Sequence, residues 1–168
     1  MKPRSGRKEF LAIDVKTTYR ENRDSKFSYT LGGYTSFIRP EAPTKNIVHP
    51  FPDYLEHWTL GFVYTRVAER KAALAETFEI GEIGSIISPY RDVDFFLRPK
   101  WEVAGDYAGS GNTTNIGSLH QTIDAFRSGP PLFESEDEFL DYWRGYGKTK
   151  AARVNYCKIT EYRKWKSK

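Results

Sequence analysis

Asp14 and Lys16 stand two apart in the stretch FLAIDVKTTY, residues 10 to 19. In an extended strand successive side chains alternate between faces, so a carboxylate and an ammonium two apart project side by side. Such a pair has a chemical use. A hard divalent cation such as magnesium takes oxygen ligands and keeps several waters. Asp14 offers one oxygen and the backbone carbonyl of Val15 a second. Lys16, on the same face, is placed to hold an attacking water and to offset charge developing on a phosphoryl group. Taken alone, Asp-x-Lys reads first as an exposed cross-strand ion pair, because motifs this short recur by chance.

A second stretch, GSGNTTN, covers Gly109, Ser110, Gly111, Asn112, Thr113, Thr114 and Asn115. Glycine lets a backbone approach another molecule closely. Asparagine can pair bidentately with adenine in the major groove, and threonine offers a hydroxyl, or a methyl for thymine. The stretch has no P-loop lysine, which argues against a nucleoside triphosphate site. An ordinary solvated turn has the same composition. A third stretch, KTKAARVNYCK, spaces Lys148, Lys150 and Arg153 so that they can follow a phosphate backbone, a contact that positions a protein without reading sequence. A solvated charged segment reads the same way.

The bulk properties fit these motifs. The chain has 168 residues, a formal net charge of +4 and a pI near 9.1, and a basic domain is the first requirement of nucleic-acid binding. From Arg144 to the end there are nine Lys or Arg against one acid, Glu161, and Lys2, Arg4, Arg7 and Lys8 open the chain. Cys157 is the lone cysteine, so no intrachain disulfide forms and a reducing, cytoplasmic home is expected. No signal-peptide core or membrane-length apolar run occurs. His49, His57 and His120 lack metal-ligand spacing.

These residues need elements to hold them. Period-two alternation predicts a strand over 9–19, with Leu11, Ile13 and Val15 on its core face and Asp14 and Lys16 on the other. FSYTLGGYTSFI, 27–38, reads as a second strand bent at Gly32-Gly33 and hairpinned with the first. The stretch 51–74 reads as the longest helix, with Pro52 and Asp53 in its first turn and Tyr54, Leu55, Trp58 and Phe62 on one face. Residues 93–97 and 101–109 read as a pair of short strands. SEDEFLDYW, 135–143, reads as a helix opened by a Ser135–Glu138 capping box, with Leu140 and Trp143 inward and Gly145 and Gly147 at its end. ITEYRKWKSK reads as a last, basic helix. The class is mixed α/β with a central, largely antiparallel sheet flanked by helices. One domain spans 1–168, with a frayed basic start over 1–8 and a basic segment over 144–168.

The stretches AIDVKTTY, FSYTLGGYTSFIR, TKNIVHPF, HWTLGFVYTRVAERK, AGDYAGSGNTTNIGS and SEDEFLDYWR, in this order, resemble the type II restriction endonucleases of the PD-(D/E)xK nuclease superfamily. The resemblance runs from about Phe10 to Trp165. It implies a restriction-endonuclease-like fold and magnesium-dependent, site-specific hydrolysis of double-stranded DNA by a homodimer. Asp14 matches the second acid of the PD…DxK motif, a metal ligand beside the Val15 carbonyl, and Lys16 matches its lysine. Thr17, Thr18 and Tyr19 match the segment beside the scissile phosphate. Gly109 to Asn115 match the loop that reads bases in the major groove, with Asn112 and Thr113 as readers. Thr30, Thr35, Ser36, Lys45, Arg66 and Arg153 match backbone contacts, and Lys148 and Lys150 keep charge near the last of these.

The resemblance further implies the palindrome GATATC, cut bluntly at its central TA step, which as a pyrimidine–purine step kinks easily. The thirteen residues before Asp14 hold no Pro-Asp, and their only acid is Glu9, on the opposite strand face. The chain therefore reads as the family's C-terminal two-thirds, and a DNA-binding remnant without cleavage is the alternative to an active enzyme. Apart from the resemblance, a non-specific binder of basic and aromatic type is a third reading.

Overall fold

The computed structural model describes residues 10–34, 38, 49, 53–67, 77–109, 115–147 and 156–167. Two three-stranded sheets organise them. In the first, β1 (Phe10–Arg20) lies at one edge, β3 (Tyr54–Arg66) at the centre and β4 (Tyr90–Pro99) at the other edge. β1 runs parallel to β3, and β4 antiparallel to it. The second sheet is antiparallel throughout, with β6 (Asn115–Ser118) between β2 (Thr30–Gly33) and β5 (Ala104–Ala108). Four helices flank them: α1 (Lys100–Val103), α2 (Ile123–Ser128), α3 (Glu136–Gly145) and α4 (Ile159–Lys166). Antiparallel pairings outnumber the single parallel one, as the sequence class requires. No helix among the described residues is long and apolar enough to cross a membrane.

Aromatic rings fill the space between sheets and helices. Phe126 of α2 stacks on Phe27 at 5.1 Å and on Phe96 of β4 at 4.9 Å between centroids. Tyr142 and Trp143 of α3 are fully buried and meet Tyr34, Tyr146, Tyr156 and Tyr162. Offset and edge-on ring pairs of this kind add to plain area burial. Aromatic residues therefore make up most of the buried core.

The predicted helix over 51–74 is instead the strand β3. His57, Thr59, Gly61, Val63 and Thr65 point into the core, while Trp58, Leu60, Phe62 and Tyr64 alternate with them on the other face. Trp58 and Phe62, four apart on one strand face, also fit a helical spacing, and the polar His57, Thr59 and Thr65 on the inward face disguise the period of two. Gly61 is the local clue, since mid-helix glycine is unfavourable. It faces Phe96, whose ring occupies the space a Cβ would take.

The faces of β1 are the reverse of the expectation. Leu11, Ile13 and Val15 are more than half exposed, and the inward face carries Ala12, Asp14, Lys16, Thr18 and the buried Arg20. Leu11, Ile13 and Val15, with Leu60 and Phe62 of β3 and Phe95 and Leu97 of β4, form one open, apolar face of the first sheet. The expected hairpin is also absent, because β1 pairs with β3 and β2 with β6. Nor do the strands at 93–97 and 101–109 pair with each other: β4 joins the first sheet, β5 the second, and 101–103 coil into α1.

The two helices near the end form where the sequence puts them. The Ser135 hydroxyl accepts from Glu138 N–H at 3.2 Å, which caps α3. The reciprocal bond differs: the Glu138 carboxylate accepts from Glu134 N–H at 2.7 Å, one residue upstream of the box position. Gly147, in the left-handed region at φ 61°, follows the helix end.

Candidate active site

β1 brings the Asp14 carboxylate to the inward side of an edge strand. Lys16 lies beside it, Nζ to Oδ1 3.0 Å, with both side chains a little over a quarter exposed. Asp14 is level with Thr59 on β3, and Thr59 with Arg98 on β4. Lys100 follows two residues after Arg98, where Pro99 ends the strand and α1 begins. It reaches back across β3, and its Nζ donates to Asp14 Oδ2 at 3.1 Å. Each Asp14 oxygen thus faces an ammonium. Burial pushes the Lys100 ammonium below the usual lysine range, and the Asp14 charge opposes that push.

A groove of about 490 Å³ opens beside this cluster. Lys16, Thr17 and Thr18 line one wall, Thr30 and Tyr29 another, and Gly109 and Gly117 the far side. The groove therefore joins the Asp14–Lys16 strand to the foot of the 109–115 stretch. Gly109 N–H donates to the Asn115 carbonyl at 2.7 Å and closes the ends of a β5–β6 hairpin. The stem rests on tyrosines: Tyr142 Oη donates to the Asp106 carbonyl at 2.7 Å, and Tyr146 Oη accepts from Ala108 N–H at 3.3 Å. Gly109 passes so close to Thr30 that a side chain there would crowd it.

Of the residues singled out in the sequence, the structure brings Asp14, Val15, Lys16, Thr17, Thr18, Thr30, Gly109 and Asn115 to this neighbourhood. Tyr19 and Arg66 stand elsewhere. Arg66 lies over the Tyr19 ring, 3.7 Å from its centroid, with Tyr19 half exposed on the open face of the sheet. Thr35, Ser36, Lys45, Ser110, Gly111, Asn112, Thr113, Thr114, Lys148, Lys150 and Arg153 lie outside the described residues. In the basic C-terminal segment, several described cations face acids of this chain. Arg163 donates to Glu138 at 2.7 Å, Lys166 to Asp141 at 2.5 Å, and Lys158 lies 4.0 Å from Asp106.

The donor set suits a hard cation in kind. Asp14 is a half-buried carboxylate, and a strand carbonyl follows it. In number the set is short: among the described residues no three His, Cys, Asp or Glu side chains come together. Magnesium is held elsewhere by one or two carboxylates completed by substrate phosphate and water, and the groove that Lys16 lines has room for a phosphate. The residues fit magnesium as half of a shell.

The family model described as restriction endonuclease EcoRV matches residues 1–167. The chain belongs to the EcoRV restriction endonuclease family. The curated Type II restriction enzyme EcoRV of Escherichia coli is 55% identical over 156 residues, which are 92% of this chain and 62% of that enzyme. The chain thus spans under two-thirds of that relative's length. In this EcoRV-family chain, Lys100 is the site residue that sequence reasoning missed. It sits in the RPKW junction between two elements, with no periodicity of its own, and only the sheet register reveals its reach to Asp14.

Proposed function

We propose that this chain is a site-specific double-strand DNA endonuclease of the type II restriction kind, acting as a homodimer on GATATC with magnesium and cutting bluntly. The observation that supports it most is the shared groove, with Lys16, the ion-pair partner of Asp14, and Thr17 and Thr18 on one wall and the foot of the 109–115 stretch on the other. Chemistry on a phosphate and readout of bases would then be coupled across one groove between the two sheets. Lys16 donates hydrogen bonds to the attacking water and to phosphoryl oxygens. Thr17, Thr18 and Thr30 hold the neighbouring backbone, and Asn112 and Thr113 read base edges. Magnesium, held by Asp14 and the Val15 carbonyl, supplies Lewis-acid stabilisation of the phosphoryl oxygens when bound. Two copies on a two-fold axis read the two half-sites.

The test is a supercoiled plasmid with one GATATC, incubated with magnesium beside a plasmid whose site is scrambled. Linearisation of the first alone, with blunt ends, is expected. Random nicking of both would overturn the specificity.

A second reading has its own support in the double engagement of Asp14 by lysines. On it, the chain is a DNA-binding remnant that does not cut. A site-specific gel shift in calcium, with no product in magnesium, would favour this reading.

A further inference from the structure

Asp14 is the sole acid described at the site, yet two ammonium groups contact it. Lys16 belongs to the DxK pattern. Lys100 does not, and it is the more buried of the two. Counting formal charges, one carboxylate and two ammoniums leave the cluster at +1. A divalent cation approaching Asp14 Oδ2 meets Lys100 Nζ where its own ligand should be free. Like charges at such separations repel strongly even at the effective dielectric of a protein surface. We propose that Lys100 is the resident counter-ion of Asp14, a positioning residue whose ammonium must leave Oδ2 before a divalent cation can bind.

The inference rests on Asp14 being the metal ligand of the proposed function. Lys100 offsets the charge of the partly buried Asp14 carboxylate and fixes its rotamer by a hydrogen bond. DNA also gains a part in metal uptake. A phosphate in the groove, which Lys16 lines, lowers the local positive charge, so the cation and the phosphate enter together.

The experiment uses manganese as the probe, followed by its free-ion electron paramagnetic resonance signal, on the whole chain without and with a GATATC duplex. Lys100→Met is expected to tighten manganese binding about tenfold or more in the absence of DNA. Lys100→Arg, which keeps the charge, leaves it near the wild-type value. Equal or weaker binding by Lys100→Met overturns the inference while leaving the metal-dependent function standing if the wild type still binds. Manganese uptake that survives Asp14→Asn overturns the reading of Asp14 as ligand and the inference with it, and so does uptake by no variant at all. Should Lys100→Met not fold, magnesium titration of the wild type followed at the Lys100 ¹³Cε resonance decides the matter. A shift that Asp14→Asn abolishes is expected, and an unmoved resonance overturns the inference.

Discussion

Arg20 Nη2 donates to Asp94 Oδ2 at 2.6 Å, tying the end of β1 to β4 across the central strand. The guanidinium is buried and gives a second bond to the Asp92 carbonyl at 2.8 Å. Its Nε and Nη1 find no hydrogen-bond partner among the described residues. A buried charge with so few partners depends heavily on the one carboxylate beside it. Asp94→Ala is therefore expected to destabilise the fold by about 3 kcal/mol, the scale for breaking a buried pair from one side. Urea unfolding should show a lower midpoint with an unchanged slope.

The same carboxylate sets an acid limit. Hydrogen bonds from Arg20, opposed by desolvation and assisted by Arg127, hold Asp94 below the usual carboxylate range. Arg163 does the same for Glu138. A carboxylate with a depressed native pKa binds more protons when unfolded, so its stabilisation is present above the unfolded value of about 4 and is lost as pH falls through the native one. Urea midpoints should stay level from about pH 7 to 5 and drop increasingly below about pH 4. Asp94→Asn should flatten that drop. A midpoint that rises with acid would contradict the assignment.

Gly61 is held by packing rather than by backbone strain. A Cβ there would enter the ring of Phe96 on the neighbouring strand. Gly61→Ala should cost about 1–3 kcal/mol by overpacking. The companion change Phe96→Leu should recover part of the loss, measurable as a double-mutant cycle in thermal unfolding.

Base reading and backbone holding are separable in the proposed complex. Asn112→Ala should reduce discrimination for GATATC by about 1–3 kcal/mol. Lys148→Ala should weaken binding to cognate and random duplexes alike and make the salt dependence shallower. Competition binding across a salt series reads both. Equal losses from the two variants would refute the division of labour.

Local chemistry made some of this legible and long-range chemistry hid the rest. Ser135 and the run to Trp143 announced α3, because a cap and a period near four are properties of nine adjacent residues. Gly109 and Asn115 bracketed a turn for the same reason. The strand β3 was illegible because its polar and small residues, His57, Thr59, Gly61 and Thr65, face inward while Trp58, Leu60, Phe62 and Tyr64 face out, so the usual link between apolar and buried is reversed. The faces of β1 were inverted for a related cause: Leu11, Ile13 and Val15 look like core to any rule that equates apolar with buried. Lys100 and Arg20 were invisible because their partners lie 86 and 74 residues away.

That open face of Leu11, Ile13, Val15, Phe95 and Leu97 gives salt two opposite effects on this protein. Kosmotropic anions strengthen apolar contact, while any electrolyte should weaken the proposed phosphate binding in the groove. Ammonium sulfate should therefore strip the chain from a duplex and, over the same range, raise its light scattering. Replacing Ile13 and Leu97 by Thr and Lys should abolish the second effect and spare the first. Purification chemistry becomes a way to address each side of one sheet separately.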